Sequence, residues 1–186
     1  MRLFIAACLD PSTKNSIAEI QRQLRVHFSR ANYSRPENLH VTLHFFGEGY
    51  DSQLNDISGA IDALSAIPFT LRLHGIGHFS RRSGGDLWWL GIRNPSGLLA
   101  LHSELSENIL GAGLYQSLNQ RELRFSPHIT IAREVVTSRD FDERAFSEAM
   151  REIPCLVDTV GLMKSEYTGG RLVYTPLYSK TLVCGR

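Results

Sequence analysis

One short pattern occurs twice in this chain, 88 positions apart: Asn38-Leu-His-Val-Thr-Leu43 and Ser126-Pro-His-Ile-Thr-Ile131. Other anchors repeat at nearly the same spacing. Asp10-Pro11-Ser12 recurs as Asn94-Pro95-Ser96, 84 residues on. Ile67-Pro68 recurs as Ile153-Pro154 and Gly75 as Gly161, both at 86. A tandem duplication of a unit near 86 residues accounts for all three spacings, and the period is too long for a solenoid. Each half has the same order of elements. An apolar strand (residues 2–9 and 86–94) leads into a helix, with Ile17, Ile20, Leu24 and Phe28 at helical spacing in the first half. In the second half Leu98, Leu101, Leu105, Ile109 and Leu110 do the same. A His-x-Thr strand, a second helix (residues 52–65 and 139–151) and a return strand complete the unit, and residues 171–183 add a closing strand.

The fold class that follows is α+β: bilobal, duplicated β-α-β-α-β units, mixed or antiparallel sheets, helices outside, and a cleft between the lobes on a pseudo-two-fold axis. The whole of 1–186 reads as one domain, with repeat units at roughly 1–84 and 85–170. Gly84-Gly85 between them is a loop or tight turn without the composition shift of a flexible linker.

Side chains two apart on a strand share a face. His40 therefore lies with Thr42, and His128 with Thr130, while Val41, Leu43, Ile129 and Ile131 pack on the opposite side. A lone His-x-Thr is most simply a satisfied histidine on a strand. The same pair at equivalent positions of a duplicated unit is brought face to face by the pseudo-two-fold axis, and two imidazoles and two hydroxyls then line one cleft. Such a set suits phosphodiester hydrolysis. One histidine takes a proton from water while the other gives one to the leaving oxygen, and the threonine hydroxyls donate to phosphate oxygens. A cation should face the developing charge. Arg133 is the candidate, although strict strand alternation points it away from the His128 face, and a bend is required to bring it in.

Metal catalysis fits less well. His40 and His44 have i, i+4 spacing, but on a strand their Cα atoms stand about 13 Å apart, awkward for one ion with bonds near ~2 Å. No cofactor or metal is expected. His27, His44, His74, His78 and His102 are taken as structural by default, and His44, which strand alternation puts on the His40 face, is expected at the cleft rim. Cys8, Cys155 and Cys184 lack the spacing of a metal or redox site and read as free thiols in a reducing compartment. Ile5-Ala-Ala-Cys8 superficially resembles a lipoprotein cleavage site, but too few residues precede it for a signal peptide. With no apolar run long enough to span a membrane, a cytoplasmic location is expected. The net charge of +1 argues against a long duplex as partner, and a monomer is the default expectation.

With these residues in view, the chain resembles the 2H phosphoesterase superfamily, and within it the RNA 2′,3′-cyclic phosphodiesterases, also called 2′-5′ RNA ligases. The resemblance runs through Arg2-Leu-Phe-Ile5, the first motif with Phe45-Phe-Gly-Glu48, Leu87-Trp-Trp-Leu90, Phe125-Ser-Pro-His-Ile-Thr-Ile-Ala-Arg133 and Tyr174-Thr-Pro-Leu177. It implies hydrolysis of a terminal 2′,3′-cyclic phosphate, on RNA 3′ ends (tRNA fragments among them) or on nucleosides, to a 2′-phosphate. It implies His40 as proton donor to the 3′ oxygen, His128 as proton acceptor from water, Thr42 and Thr130 on the phosphate, and Arg133 as a phosphate ligand. His44 departs from the small or apolar residue expected there. Reversible 2′-5′ ligation, a non-catalytic nucleotide-binding module and a metal-dependent phosphatase are the competing readings. His78-Phe-Ser-Arg-Arg-Ser-Gly-Gly85 is either a basic arm toward an RNA end or a solvated hairpin tip. Trp88, Trp89, Phe45, Phe46 and Tyr167 are the aromatics available to stack on a base, with core packing the commoner role for Trp88, Phe45 and Phe46.

Overall fold

The first strand, β1 (Arg2–Cys8), is apolar after Arg2 and buried from Leu3 to Ala7. It ends where Asp10 caps the next helix, accepting from the Thr13 N–H at 2.9 Å, with Pro11 at the first helical position. That helix, α1 (Pro11–Leu24), buries Ile17, Ile20 and Leu24 along one stripe. The computed structural model describes residues 2–48, 50–114 and 125–183. Its remaining elements are β2 (Phe28–Tyr33), β3 (His40–Glu48), α2 (Leu54–Asp62), β4 (Phe69–Phe79), β5 (Asp86–Ile92), α3 (Ser96–Gly111), β6 (Ile129–Thr137), α4 (Glu143–Ala149), β7 (Ile153–Val157), β8 (Thr159–Thr168) and β9 (Arg171–Thr181).

The described strands form one sheet in the order β7-β4-β5-β6-β3-β1-β8-β9, with β2 added alongside β6, and every pairing among them is antiparallel. The order is symmetric about the β6–β3 seam. On either side of it stand β5 and β1, then β4 and β8, then β7 and β9. The two repeats interlock rather than standing side by side. The return strand of the first, β4, pairs with β5 and β7, and that of the second, β8, pairs with β1. Each half of the sheet therefore draws on both halves of the chain.

Two local differences from the sequence reading have physical causes. Phe28, placed by its spacing at the end of the first helix, instead opens an edge strand over residues 28–33; the polar Ser29, Arg30 and Asn32 are exposed, and only Phe28 is buried. Asn94, in the position of the helix cap Asp10, instead accepts from the Arg72 N–H at 2.7 Å, so α3 begins without a side-chain cap. Cys155 is buried, and burial pushes its thiol up to about 11; Cys184 lies outside the described residues. None of the described helices is long and apolar enough to cross a membrane.

Candidate active site

The two halves of the sheet meet at a single bridge, Val41 opposite Ile129. Both side chains are fully buried. Their neighbours along each strand therefore turn the other way, into the opening where β3 and β6 diverge. The antiparallel register carries His40 toward Thr130 and His128 toward Thr42. All four line one pocket of about 160 Å³, with Arg133 and Tyr174 beside them.

Each histidine is held by the backbone two residues before it. His40 Nδ1 lies 2.8 Å from the Asn38 carbonyl, and His128 Nδ1 lies 2.8 Å from the Ser126 carbonyl. A carbonyl only accepts, so each Nδ1 carries the proton, and in the neutral ring each Nε2 is the unprotonated nitrogen. The Thr42 hydroxyl sits 3.0 Å from His40 Nε2 and donates to it when the ring is neutral. Aromatic rings fix both imidazoles from the sides. Phe4 and Tyr174 flank His40 at 4.8 and 5.2 Å between ring centres. Phe79 stands edge-on to His128 at 5.3 Å, with Trp89 at 6.3 Å.

Arg133 reaches the pocket because β6 is bulged. Against β5, Trp89 faces Thr130 and Trp88 faces Ala132, so Ile131 has no opposite number. Ile131 and Ala132 are consequently buried in succession, and the next residue returns to the His128 face. Glu134 follows at φ 56°, a backbone state that a side chain rarely adopts. The bend that alternation alone lacked is this one.

The same device in β3 overturns the expectation for His44. Ala6 faces Thr42 and Ile5 faces His44, leaving Leu43 as the extra residue. His44 therefore turns into the core, 2% exposed, with its ring 4.5 Å from Phe46. It does not line the cleft. The residue brought to the cleft is Phe45, 44% exposed, in the position equivalent to Arg133. Histidines and threonines thus match across the seam, whereas Arg133 faces Phe45.

The electrostatics follow the same asymmetry. Withdrawal of the ring from water pushes His40 down to about 4, helped by Arg133, His128 and Lys14 and opposed by the bond to the Asn38 carbonyl. In the free site His40 is neutral near pH 7. Burial also raises the Tyr174 phenol, against the pull of Arg133, which hydrogen-bonds to it. Among the described residues no three His, Cys, Asp or Glu side chains gather as a metal-binding set.

Several residues of the site carried no sequence signal beyond their place in a motif. Tyr174 belongs to the closing strand and meets the site only because β9 pairs with β8. A second cleft of about 290 Å³ continues from the first and shares His40, Thr130, Arg133 and Tyr174 with it, but not His128. Of the five aromatics, Trp88 and Phe46 are core residues, whereas Tyr167 is 70% exposed and lines this larger cleft. His78 is spent on Glu143, 2.9 Å away, and on the face of Trp88.

Known proteins match this arrangement along nearly the whole chain. Over 180 residues the chain is 28% identical to an RNA 2′,3′-cyclic phosphodiesterase of Thermotoga maritima, covering 96% of this chain and 94% of that one. It is 31% identical over 169 residues to the RNA 2′,3′-cyclic phosphodiesterase of Escherichia coli, covering 86% and 88%. The crystal structure of E. coli LigT complexed with 3′-AMP shares the fold at a TM-score of 0.72 and 26% identity, covering 97% of this chain and 96% of that chain. The profile of the 2′-5′ RNA ligase superfamily matches residues 9–169. The chain belongs to that superfamily, within the wider group of two-histidine phosphoesterases that its paired motifs resemble.

Proposed function

We propose that this protein hydrolyses 2′,3′-cyclic phosphodiesters on RNA 3′ ends or nucleotides to 2′-phosphomonoesters, by proton transfer between two histidines and without a metal. One observation carries the reading. The Val41–Ile129 bridge sets His40, Thr42, His128 and Thr130 in one pocket, with Arg133 turned in beside them. The cyclic phosphate, with one negative charge, sits between the two strands. The threonine hydroxyls donate to its free oxygens and Arg133 faces its charge. Its arrival also changes His40. An anion against the ring favours the imidazolium, so a histidine that is neutral in the free site becomes the acid in the complex. Water on the far side gives a proton to His128 Nε2 as its oxygen bonds to phosphorus. The P–O3′ bond breaks, and His40 Nε2–H delivers its proton to O3′. The 2′-phosphate remains, and solvent exchange returns each ring to its starting state. The assignment of donor and acceptor rests on the family resemblance. The free thiols suit a reducing compartment, and we place the protein in the cytoplasm as a monomer.

The test is product identity. Each nucleoside 2′,3′-cyclic phosphate is incubated with the enzyme, with and without EDTA, and the phosphate position is read by chromatography. Chelator-resistant formation of the 2′-phosphate is expected. A 3′-phosphate product, or activity abolished by the chelator, contradicts the mechanism.

A further inference from the structure

His40 and His128 are held alike, each through Nδ1, but the carbonyls that hold them are secured differently. The Asn38 carbonyl belongs to one turn of 3-10 helix, Pro36–Asn38. Hydrogen bonds fix that turn: the Asn38 N–H donates to the Arg35 carbonyl at 2.9 Å, and Asn38 Nδ2 donates to the Leu172 carbonyl on β9 at 3.0 Å. The Ser126 carbonyl lies outside any such frame. Residues 125–127 belong to no helix or strand, Ser126 is exposed, and Pro127 has no N–H to give.

A ring stack holds this segment from the helix side. Phe125 lies face to face with His102, 4.1 Å between ring centres and 5° from parallel. His102 sits in α3 among helical neighbours seated in the core, since Leu98, Leu101 and Leu105 are all buried. The helix is therefore a fixed base, and the imidazole is the part of it that Phe125 meets. Burial lowers the His102 pKa, so the ring is uncharged near pH 7 and stacks as an aromatic face without a hydrated cation to bury. Phe125 itself is partly buried against the core. It is the residue next to Ser126, so a contact that fixes Phe125 fixes the start of the segment that presents the Ser126 carbonyl.

The state of His128 depends on that carbonyl. While Nδ1–H donates to it, Nε2 is left open to accept. When the carbonyl shifts, the neutral ring is free to take the other tautomer, in which Nε2 carries the proton and cannot accept one from water. We propose that His102 is a positioning residue for His128: its ring, stacked on Phe125, holds the Ser126 carbonyl in place and so keeps His128 Nε2 unprotonated and aimed into the pocket. The inference deepens the proposed hydrolysis and rests on its use of His128 as the base.

The experiment reads the histidine tautomers by ¹⁵N NMR at about pH 8, where an ordinary histidine is neutral. Wild type, His102→Ala and His102→Phe are compared, with Ile109→Val, a loss of buried packing on the same helix, as the control for general destabilisation. In the wild type both site histidines show a single tautomer, protonated on Nδ1. In His102→Ala the His128 nitrogens move toward averaging between tautomers, while those of His40 stay in place. His102→Phe supplies a ring again and restores the single form, and Ile109→Val leaves it untouched. Turnover of a nucleoside 2′,3′-cyclic phosphate follows the same order. In His102→Ala kcat falls about tenfold to 10²-fold, the cost of a misplaced reacting group, while KM holds because Thr42, Thr130 and Arg133 are unchanged; His102→Phe recovers most of the loss. A His128 already averaged in the wild type, a His102→Ala spectrum like the wild type's, a change that Ile109→Val reproduces, or a loss that His102→Phe fails to restore overturns the assignment. If the wild type hydrolyses no cyclic phosphate, the hydrolysis reading fails by itself, and the tautomer spectra still decide whether His102 positions His128.

Discussion

His40 sits beside two other potential cations, Arg133 and His128, and its ring is partly withdrawn from water. Its neutral state in the free protein is the consequence, and an anion bound against the ring would favour its protonation. Histidine NMR measures this directly. The His40 ring is expected to titrate near about 4 in the free protein and to move upward when inorganic phosphate or a nucleoside 2′-phosphate fills the site. Titration near the ordinary 6.5 in the free protein, unmoved by phosphate, contradicts this picture of the site. The histidines and threonines were legible in the sequence because a repeated motif names its own equivalent positions. Arg133 was legible only in part, since residue type and motif pointed to it while strand alternation pointed away. His44 was misread for the same reason, as its orientation depends on one extra residue and not on its own chemistry.

The orientation of His44 and Arg133 depends on two of the register shifts, at Leu43 in β3 and Ile131 in β6. The second is visible in the sequence once one looks for it, because Ile131-Ala132 places two apolar residues in succession before Arg133. In the first, His44 hides the same signal behind a polar side chain. The strand β2 was missed because an edge strand with polar outward residues leaves little periodicity to read. Packing of β4 on β5 depends on a glycine that pattern reading passes over. A Cβ at Gly77 would lie 2.4 Å from two ring atoms of Trp89, whose indole lies across the glycine and backs His128. Gly77→Ala is expected to cost about 1–3 kcal/mol in denaturant unfolding. The cost should shrink in a Trp89→Leu background, where the clashing ring is gone. An equal cost in both backgrounds would show that the indole is not the obstacle.

The duplication reached the whole molecule in a form the sequence did not specify. Equivalent anchors predicted a two-fold arrangement, but the partner each return strand would choose lay beyond any local pattern. In the sheet β4 and β8 cross to the opposite sides of the seam. That interlocking makes the His40–His128 pocket depend on the whole fold, so global stability and site integrity are tied. The buried histidine His44 sets part of the acid sensitivity. Burial and the nearby His102 push it down to about 4, whereas in the unfolded chain it titrates near the ordinary 6.5. The unfolded state therefore binds the proton first, and stability present above about pH 6.5 is lost as pH falls toward 4. This ring contributes at most about 1.4 kcal/mol per pH unit over that window. His102, also lowered by burial, acts with the same sign. Unfolding free energies of His44→Leu measured from pH 7 to 4 should fall less steeply than those of the wild type, and parallel curves would contradict the assignment. The central claim is that two histidines from opposite halves of the chain act as one unit across the seam, and kcat/KM for His40→Ala, His128→Ala and the double variant tests it most directly. Each single substitution is expected to cost about 10³-fold or more, with the double variant hardly worse than either, because a proton relay fails when one end is missing; losses that multiply, or one single variant near wild-type activity, would contradict it.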